Sequence, residues 1–113
     1  MDKLSKTLKA LSDETRLKII KLLLSRDFCV RALACHLEIS EAAVSQHLKI
    51  LRNTGLVRGE KRGYWVHYIV DRNVLKHTGE ELKKMAEEFI FQDSKVDTVI
   101  PEKKKTYCRK EGK

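Results

Sequence analysis

The segment from Leu37 to Val57 constrains the fold more than any other part of the chain. Ser40 is a favourable N-cap because its hydroxyl can accept a backbone N–H bond of the first helical turn, and Gly55 is a favourable C-terminal stop. The apolar residues between them recur at spacings of four and three, and they are Val44, Leu48 and Leu51. This spacing predicts a helix with one buried stripe.

The opposite face of this predicted helix is short, polar and basic. Its outward side chains are Ser45, Gln46, Lys49 and Arg52. Such side chains can form hydrogen bonds with base edges and with phosphates. The pattern therefore favours a helix that lies in a DNA groove, and the alternative is that these are ordinary solvated polar residues.

The charge distribution favours the same partner. The chain has 113 residues, which suits a single domain, and a formal net charge of +8, which favours nucleic acid or an anionic membrane surface. Residues 41–62 contain five basic and two acidic side chains, whereas residues 71–93 contain four basic and six acidic ones. Because the basic region coincides with the predicted recognition helix and no broad apolar face accompanies it, we expect double-stranded DNA rather than a membrane.

Localisation and redox state follow from what the sequence lacks. No apolar stretch reaches the roughly 18 to 20 residues that cross a bilayer, and the N-terminus has no signal-peptide core. We therefore expect a cytoplasmic protein. Three cysteines without an export signal favour reduced thiols over a disulfide framework.

Two scaffold helices and a short third helix are predicted before the recognition helix. Leu4, Leu8 and Leu11 mark the first helix. Ser12 or Asp13 caps a second helix that runs through Leu24, and its predicted inner face consists of Leu17, Ile20 and Leu24. A third helix from about Cys29 to Leu37, joined by a tight turn to the recognition helix, predicts a helix-turn-helix.

A wing and a last helix complete the predicted domain. The region from Val57 to Val70 is rich in β-branched and aromatic residues and is interrupted by the basic turn Gly59–Gly63, which predicts two antiparallel strands. The last helix is predicted from about Asp71 to Phe91, with an apolar face of Leu75, Leu82, Met85 and Phe89. We expect one domain over residues 1–93, mainly helical with a β-hairpin wing, and a flexible basic tail over residues 94–113.

Three segments together resemble the ArsR/SmtB family of winged helix-turn-helix transcriptional repressors. They are Leu11–Leu23, Val44–Val57 and Gly63–Tyr68, within a match from about Leu4 to Phe89. The resemblance implies a dimeric winged helix-turn-helix fold. It also implies a homodimer that binds an operator and releases it when a metal ion, a metalloid or a thiol-reactive signal binds.

The resemblance and the outward orientation together name the expected DNA contacts. Ser45, Gln46, His47 and Lys49 are expected in the major groove, with Gln46 reading adenine, and Arg52 on phosphate. Lys61 and Arg62, at the predicted hairpin tip, are expected on the flanking backbone or minor groove. His47 has an alternative role at the edge of the core, beside Leu48.

The last helix, with Leu4 and Leu8, is the expected subunit interface. A second copy would cover its apolar face and place two recognition helices about 34 Å apart, which predicts a palindromic operator. The alternative is a monomer in which this face packs on the first helix of its own chain.

The sequence departs from the metal sites that the resemblance implies. Metalloid-sensing relatives carry Cys-Val-Cys where this chain has Cys29-Val30-Arg31, and zinc-sensing relatives carry two histidines where this chain has Asn73 and Lys84. On one helix, Cys29 would lie about 9 Å from Cys35 and about 10 Å from His36 along the axis, too far to share an ion. A zinc site on Asp71, Asn73, Lys84 and Glu87 is rejected because both imidazoles are absent and Lys84 would repel a cation.

Cys108 provides a further thiol, in a basic segment that favours the reactive thiolate. The chain after Asp93 could extend up to about 50 Å, so Cys108 could reach Cys29 or Cys35 of either subunit. The candidate effector thiols are therefore Cys29 and Cys108, with arsenite or a soft metal ion as effector and no required cofactor. Alternatively Cys29 and Cys35 are small core residues and Cys108 is inert, and for Cys35 we favour a core role.

Enzymatic functions find little support in the sequence. It contains no phosphate-binding glycine loop, no His-Glu-x-x-His, no Cys-x-x-Cys and no visible Ser-His-acid set. Three alternatives to the metal-released repressor remain open: a thiol redox-responsive regulator, an effector-independent regulator and a winged-helix module that binds a protein.

Overall fold

Five helices and a three-stranded antiparallel sheet form the computed structural model, which describes residues 2–96 and their side chains as far as residue 88. In chain order the elements are α1 (Lys3–Leu11), α2 (Glu14–Ser25), β1 (Phe28–Cys29), α3 (Val30–Leu37), α4 (Glu41–Asn53), β2 (Val57–Arg62), β3 (Trp65–Val70) and α5 (Arg72–Val96). The predicted order of helices and hairpin is confirmed. The strand β1 is an addition.

The junction between α1 and α2 resolves which residue caps the second helix. Ser12 is the C-cap of α1, and Asp13 is the N-cap of α2, where its carboxylate accepts the Arg16 backbone N–H at 3.0 Å. The buried face of α2 consists of Ile19, Ile20 and Leu23. The predicted inner position of Leu17 is wrong, because its side chain is 43% exposed. The apolar residues of this helix are numerous enough that more than one of its faces could be buried, and packing against the neighbouring elements selects the buried face.

Helix α4 has the caps and the buried stripe that its sequence predicts. The Ser40 hydroxyl accepts the Ala43 backbone N–H at 3.0 Å, and Gly55 has a φ of +83°, a conformation that glycine adopts without a steric penalty. Val44, Leu48 and Leu51 are at most 1% exposed. The opposite face of α4 is therefore held in a defined orientation by the core.

The sheet has the strand order β1-β3-β2, with both pairs antiparallel. In the β1–β3 pair, Phe28 lies opposite Tyr68 and Cys29 lies opposite His67. Phe28 is buried in the core. The third helix begins at Val30. Cys29 therefore belongs to a strand and not to the helix in which it was predicted. A strand of two residues is too short to show alternation in a sequence.

The hairpin turn lies further along the chain than predicted. Gly59 to Arg62 belong to β2, and the two-residue loop is Gly63-Tyr64, with Gly63 at a φ of +67°. At Gly59 an added Cβ would lie 3.0 Å from Val66 Cγ1 and 3.2 Å from Tyr68 Cε1. Gly59 therefore provides space for two neighbouring side chains rather than a turn.

Contacts divide the chain into two units at the Thr78–Gly79 boundary. In the first unit the core includes the stripe of α4 together with Ile19, Leu33, Leu56 and Val70, and Thr78 is buried. In the second unit the side chains of Leu82 and Met85 are 41% and 43% exposed.

Helix α5 continues to Val96, beyond the predicted end near Phe91. The side chain of Phe89, and residues 97–113 with Cys108, lie outside what the structure describes. Over residues 2–96, no helix has the length and apolar character that a membrane span requires.

Candidate nucleic-acid interface

One face of α4 carries four polar side chains that are open to solvent, and they are Ser45, Gln46, Lys49 and Arg52. Among residues 2–88, whose side chains the structure describes, none of these four has a hydrogen-bond or ion-pair partner. They follow the helical period on the side opposite Val44, Leu48 and Leu51. The arrangement leaves two basic and two neutral hydrogen-bonding groups available to an external partner.

His47 lies apart from those four side chains. Its side chain is 23% exposed, and its Nδ1 atom lies 3.3 Å from Arg16 Nη1 and 3.9 Å from Asp13 Oδ2. Arg16 also donates its Nε–H to the Ala10 carbonyl at 2.6 Å. His47 Nδ1 therefore contacts the α1–α2 junction and links α4 to it. This contact agrees with the alternative role of His47 at the edge of the core, beside Leu48.

The pKa of Asp13 is lowered by this arrangement. The backbone N–H of Arg16 is the largest cause, and the charges of Arg16 and His47 also lower this pKa, while partial desolvation opposes them. The carboxylate at the N-terminus of α2 is thus stabilised in its charged form. Its position links the cap of α2 to the recognition helix through His47.

The wing has three Lys or Arg side chains, of which Lys61 is unpartnered and Arg58 and Arg62 are engaged within the described part of the chain. Lys61 is exposed and has no ion-pair partner among the described residues. Arg62 forms ion pairs with Asp27 and, at 3.0 Å, with Glu60. Glu60 also lies 3.5 Å from Arg58. A DNA contact by Arg62 would therefore have to replace carboxylate partners.

These ion pairs also shift the pKa values of the groups involved. The pKa of Arg62 is raised by Glu60 and then by Asp27, and the pKa of Asp27 is lowered by its own backbone N–H and then by Arg62. Neither Arg58 nor Asp27 was predicted as a site residue from the sequence. The alternation of Arg58, Glu60 and Arg62 along β2 could have indicated that the three share one face of the strand.

A cavity of about 460 Å³ lies beside α3 and β3. Its lining consists of Cys29, Arg31, Ala32, Cys35, Trp65 and His67. Cys29 is half-buried and Cys35 is exposed, and both are free thiols. The expected core role of Cys35 is therefore wrong, because its side chain lies on the outer side of α3, whereas the neighbouring Leu33 and Ala34 face the core.

His67 has a buried Nδ1 atom with no hydrogen-bond partner within the described part of the chain. An unpaired buried polar atom costs about 1–3 kcal/mol, so such atoms are uncommon in folded proteins. His67 was not predicted as a site residue, because its cross-strand position opposite Cys29 depends on the strand β1, which was not predicted from the sequence.

The donor sets implied by the family resemblance do not fit these residues. Arg31 replaces the second thiol of the metalloid site, and Asp71 is used at the start of α5, where its carboxylate accepts the N–H groups of Asn73 and Val74. Among the side chains that the structure describes, through residue 88, no group of three or more His, Cys, Asp or Glu could hold a metal ion.

Comparison with known proteins identifies relatives of the helix-turn-helix region. Residues 13–58 match the family described as bacterial regulatory protein, arsR family. The chain is 40% identical over 78 residues to the cadmium resistance transcriptional regulatory protein CadC homolog of Staphylococcus aureus, which covers 68% of this chain and 64% of the relative. It is 48% identical over 62 residues to the arsenical resistance operon repressor of Escherichia coli K12, covering 53% of this chain and 52% of the relative. The chain thus spans between half and two thirds of the length of these relatives.

A solved structure extends the similarity over most of the chain. The ArsR-like transcriptional regulator from Rhodococcus sp. RHA1 has a TM-score of 0.78 and 30% identity, and the alignment covers 86% of this chain and 92% of that one. The aligned fold is the helix-turn-helix with its hairpin wing, flanked by helices. The chain therefore belongs to the ArsR family of winged helix-turn-helix transcriptional regulators.

Proposed function

We propose that this chain is a repressor that binds a palindromic operator as a homodimer and is released by a metal ion, a metalloid or a thiol-reactive signal. The observation that carries the proposal is the exposed, unpartnered face of α4, because its orientation is held by the fully buried stripe behind it. A polar face without internal partners is suited to an external ligand with many acceptors, and duplex DNA is such a ligand.

The side chains of this face differ in the DNA contacts that they suit. Gln46 can form paired hydrogen bonds with adenine, and Ser45 and Lys49 can contact neighbouring base edges or phosphates. Arg52, near the end of α4, is suited to a phosphate contact. Lys61 of the wing would add affinity that depends little on sequence, and Arg62 would join it only after exchanging its carboxylate partners.

Exposed apolar side chains support the homodimer. In the first unit Leu8 of α1 is 37% exposed, and in the second unit Leu82 and Met85 of α5 are more exposed still. Large apolar side chains on a predicted contact face favour coverage by a second copy. A dimer with twofold symmetry would read two half-sites, and its operator would be palindromic.

The proposed release acts through Cys29, with Cys108 as the second candidate effector thiol. Cys29 is a half-buried free thiol that lines the cavity beside α3, and the two relatives named above are regulators of cadmium and arsenical resistance. These observations support a soft or thiol-reactive signal. Cys108 lies outside the described residues, so its part in the proposal rests on the sequence alone.

The DNA-binding part is tested by selecting duplexes from a randomised library and measuring their affinity by fluorescence anisotropy at several salt concentrations. We expect a palindromic consensus, and Lys61→Ala should lower the salt slope of binding by about 1 with little change in consensus. Lys76→Ala, which removes an exposed lysine of α5, is the matched control. A protein that selects no duplex, or whose binding does not depend on salt, would contradict the proposal and would favour a protein-binding module.

The release part is tested by gel shift on the selected operator with arsenite, cadmium and an oxidant. We expect at least one reagent to weaken the wild-type complex, and Cys29→Ser to abolish that effect. Cys108→Ser tests whether the tail thiol is needed for the same effect. Cys35→Ser makes the same change at another thiol and is the matched control. If no reagent weakens the wild-type complex, the protein is an effector-independent regulator with respect to these signals.

A further inference from the structure

The sheet register brings a thiol and an imidazole onto one face at the base of the wing. Cys29 lies directly opposite His67 in the antiparallel β1–β3 pair. Side chains of directly opposed residues lie on the same face of a sheet, with Cβ atoms about 4.5–5.5 Å apart. Trp65, two residues before His67, shares that face. A thiolate and an imidazole at this separation can reach one ion, since metal–sulfur and metal–nitrogen bonds are about 2.0–2.3 Å long.

The cavity beside α3 opens onto this same face. Cys29, Trp65 and His67 all line it, and Arg31, Ala32 and Cys35 of α3 complete the lining. The volume of about 460 Å³ is far larger than a single ion needs, so an ion could enter together with its carrier ligands. The cavity is therefore lined by both residues of the donor pair, Cys29 and His67.

His67 has a donor position that the fold leaves unused. Its Nδ1 atom is buried and has no hydrogen-bond partner within residues 2–88. A buried imidazole nitrogen gains most from a ligand that replaces the missing hydrogen bond. Histidine nitrogen is a common metal ligand, and Cys29 provides thiolate sulfur beside it.

The charged neighbours add no further metal ligand to Cys29 and His67, and the charge of the site suits a monovalent ion. Glu60 lies opposite His67 on β2, but its carboxylate is paired with Arg58 and Arg62. Arg62 is in turn balanced by Asp27. Arg31 of α3 also lines the cavity. One thiolate with one monovalent cation is neutral, which suits a half-buried position.

The geometry points to a two-donor site in which Cys29 and His67 bind a soft monovalent metal ion of the Cu(I) class. Soft thiolate selects Cu(I), imidazole also suits copper, and Cu(I) accepts low coordination numbers. Structural zinc sites use four protein ligands, which the described residues do not bring together here. The inference rests on the proposed function only in treating Cys29 as an effector residue, and it adds His67 as the second ligand.

The test titrates the reduced, full-length protein with Cu(I) under anaerobic conditions, in competition with a chromophoric Cu(I) chelator. We expect one equivalent to bind. Loss of a residue that only hydrogen-bonds to a metal ligand lowers metal affinity by roughly 10- to 100-fold. Because Cys29→Ser and His67→Gln each remove a ligand itself, each should lower Cu(I) affinity by about 100-fold or more. Cys35→Ser and His36→Gln make the same chemical changes on α3 but keep both proposed ligands, so they should bind Cu(I) with nearly wild-type affinity.

X-ray absorption on the wild-type protein gives an independent readout that does not require a variant to fold. We expect one sulfur and one imidazole nitrogen around copper. Two sulfurs without imidazole, or wild-type affinity in a folded His67→Gln protein, would overturn the assignment. A loss of Cu(I) affinity in Cys108→Ser, together with wild-type Cu(I) affinity in His67→Gln, would also overturn the assignment and would favour a Cys29–Cys108 thiol pair.

Operator binding by the metal-free protein separates this inference from the proposed function. The Cu(I) titration and the absorption spectrum contain no DNA, so they test the Cys29–His67 site alone. If the metal-free wild type selects no operator while copper binds through sulfur and imidazole, the repressor function fails and the site stands. If the operator is bound and copper shows no imidazole ligand, the site fails and the repressor function stands.

Discussion

Arg62, the last residue of β2, is ion-paired with Asp27, in the connection between α2 and β1. Glu60 on the same strand holds the other side of the guanidinium at 3.0 Å. The wing arginine is thus occupied by two carboxylates in the absence of DNA. Since phosphate would be a third competitor for the same donors, the Asp27 ion pair opposes the contact proposed for Arg62.

Replacement of Asp27 by Asn should strengthen DNA binding. The change removes one of the two carboxylates that compete with phosphate for Arg62, and one more phosphate contact should steepen the salt dependence of binding by about 0.9. Anisotropy titrations on one duplex at several salt concentrations measure both effects. Glu14→Gln makes the same charge change at an exposed position of α2. If the two variants bind with equal affinity and slope, Asp27 does not restrain Arg62.

Replacement of Gln46 by Ala should reduce sequence discrimination while leaving non-specific binding nearly unchanged. The exposed amide is expected to form paired hydrogen bonds with one adenine, and such a pair contributes about 1–3 kcal/mol of discrimination. Affinities for the selected operator and for operators changed at single positions measure the loss. Asn53→Ala, an exposed amide at the end of α4, is the matched control. Equal discrimination by Gln46→Ala and wild type would remove Gln46 from base recognition.

Replacement of Leu48 by Ala should destabilise the first unit strongly. Leu48 is 1% exposed, and truncation of a buried leucine typically costs about 2–5 kcal/mol, because it loses burial and leaves a cavity. Urea unfolding at one fixed protein concentration measures the difference. Ile50→Ala, at a position that is 39% exposed on the same helix, should cost less than about 1 kcal/mol. Similar costs for the two variants would show that the α4 stripe does not anchor the recognition helix.

Replacement of Asp13 by Asn should remove part of the acid sensitivity of folding. The folded-state pKa of Asp13 lies below its ordinary value of 3.8, mainly because of the Arg16 backbone N–H. The carboxylate therefore contributes stability above about pH 3.8 that is lost as the pH falls through the folded-state pKa. Asn keeps the capping ability, so its cap should not titrate.

Thermal unfolding between pH 5 and pH 2.5 measures this difference. The loss of stability on acidification should be smaller in Asp13→Asn than in wild type, while every other carboxylate contributes equally to both proteins. Arg16 and His47 face Asp13 in both proteins. Parallel curves for the two proteins would show that Asp13 makes no pH-dependent contribution.

Local sequence determined the recognition helix and its exposed face. Ser40, the stripe of Val44, Leu48 and Leu51, and Gly55 specify where α4 begins and ends and which side is buried, because capping and helical periodicity act between residues a few positions apart. The same reasoning identified the hairpin, since β-branched and aromatic residues cluster there. These signals are local, so they can be read without knowing what packs against them.

Tertiary structure alone decided which neighbours those residues meet. Leu17 and Ile19 are both apolar residues of α2, and only packing chose Ile19 for the core. The Cys29–His67 juxtaposition and the Arg62–Asp27 ion pair join residues more than 30 positions apart, through a two-residue strand that has no pattern of its own. Periodicity describes one element at a time, whereas a cross-strand register and an ion pair between elements exist only once the sheet has assembled.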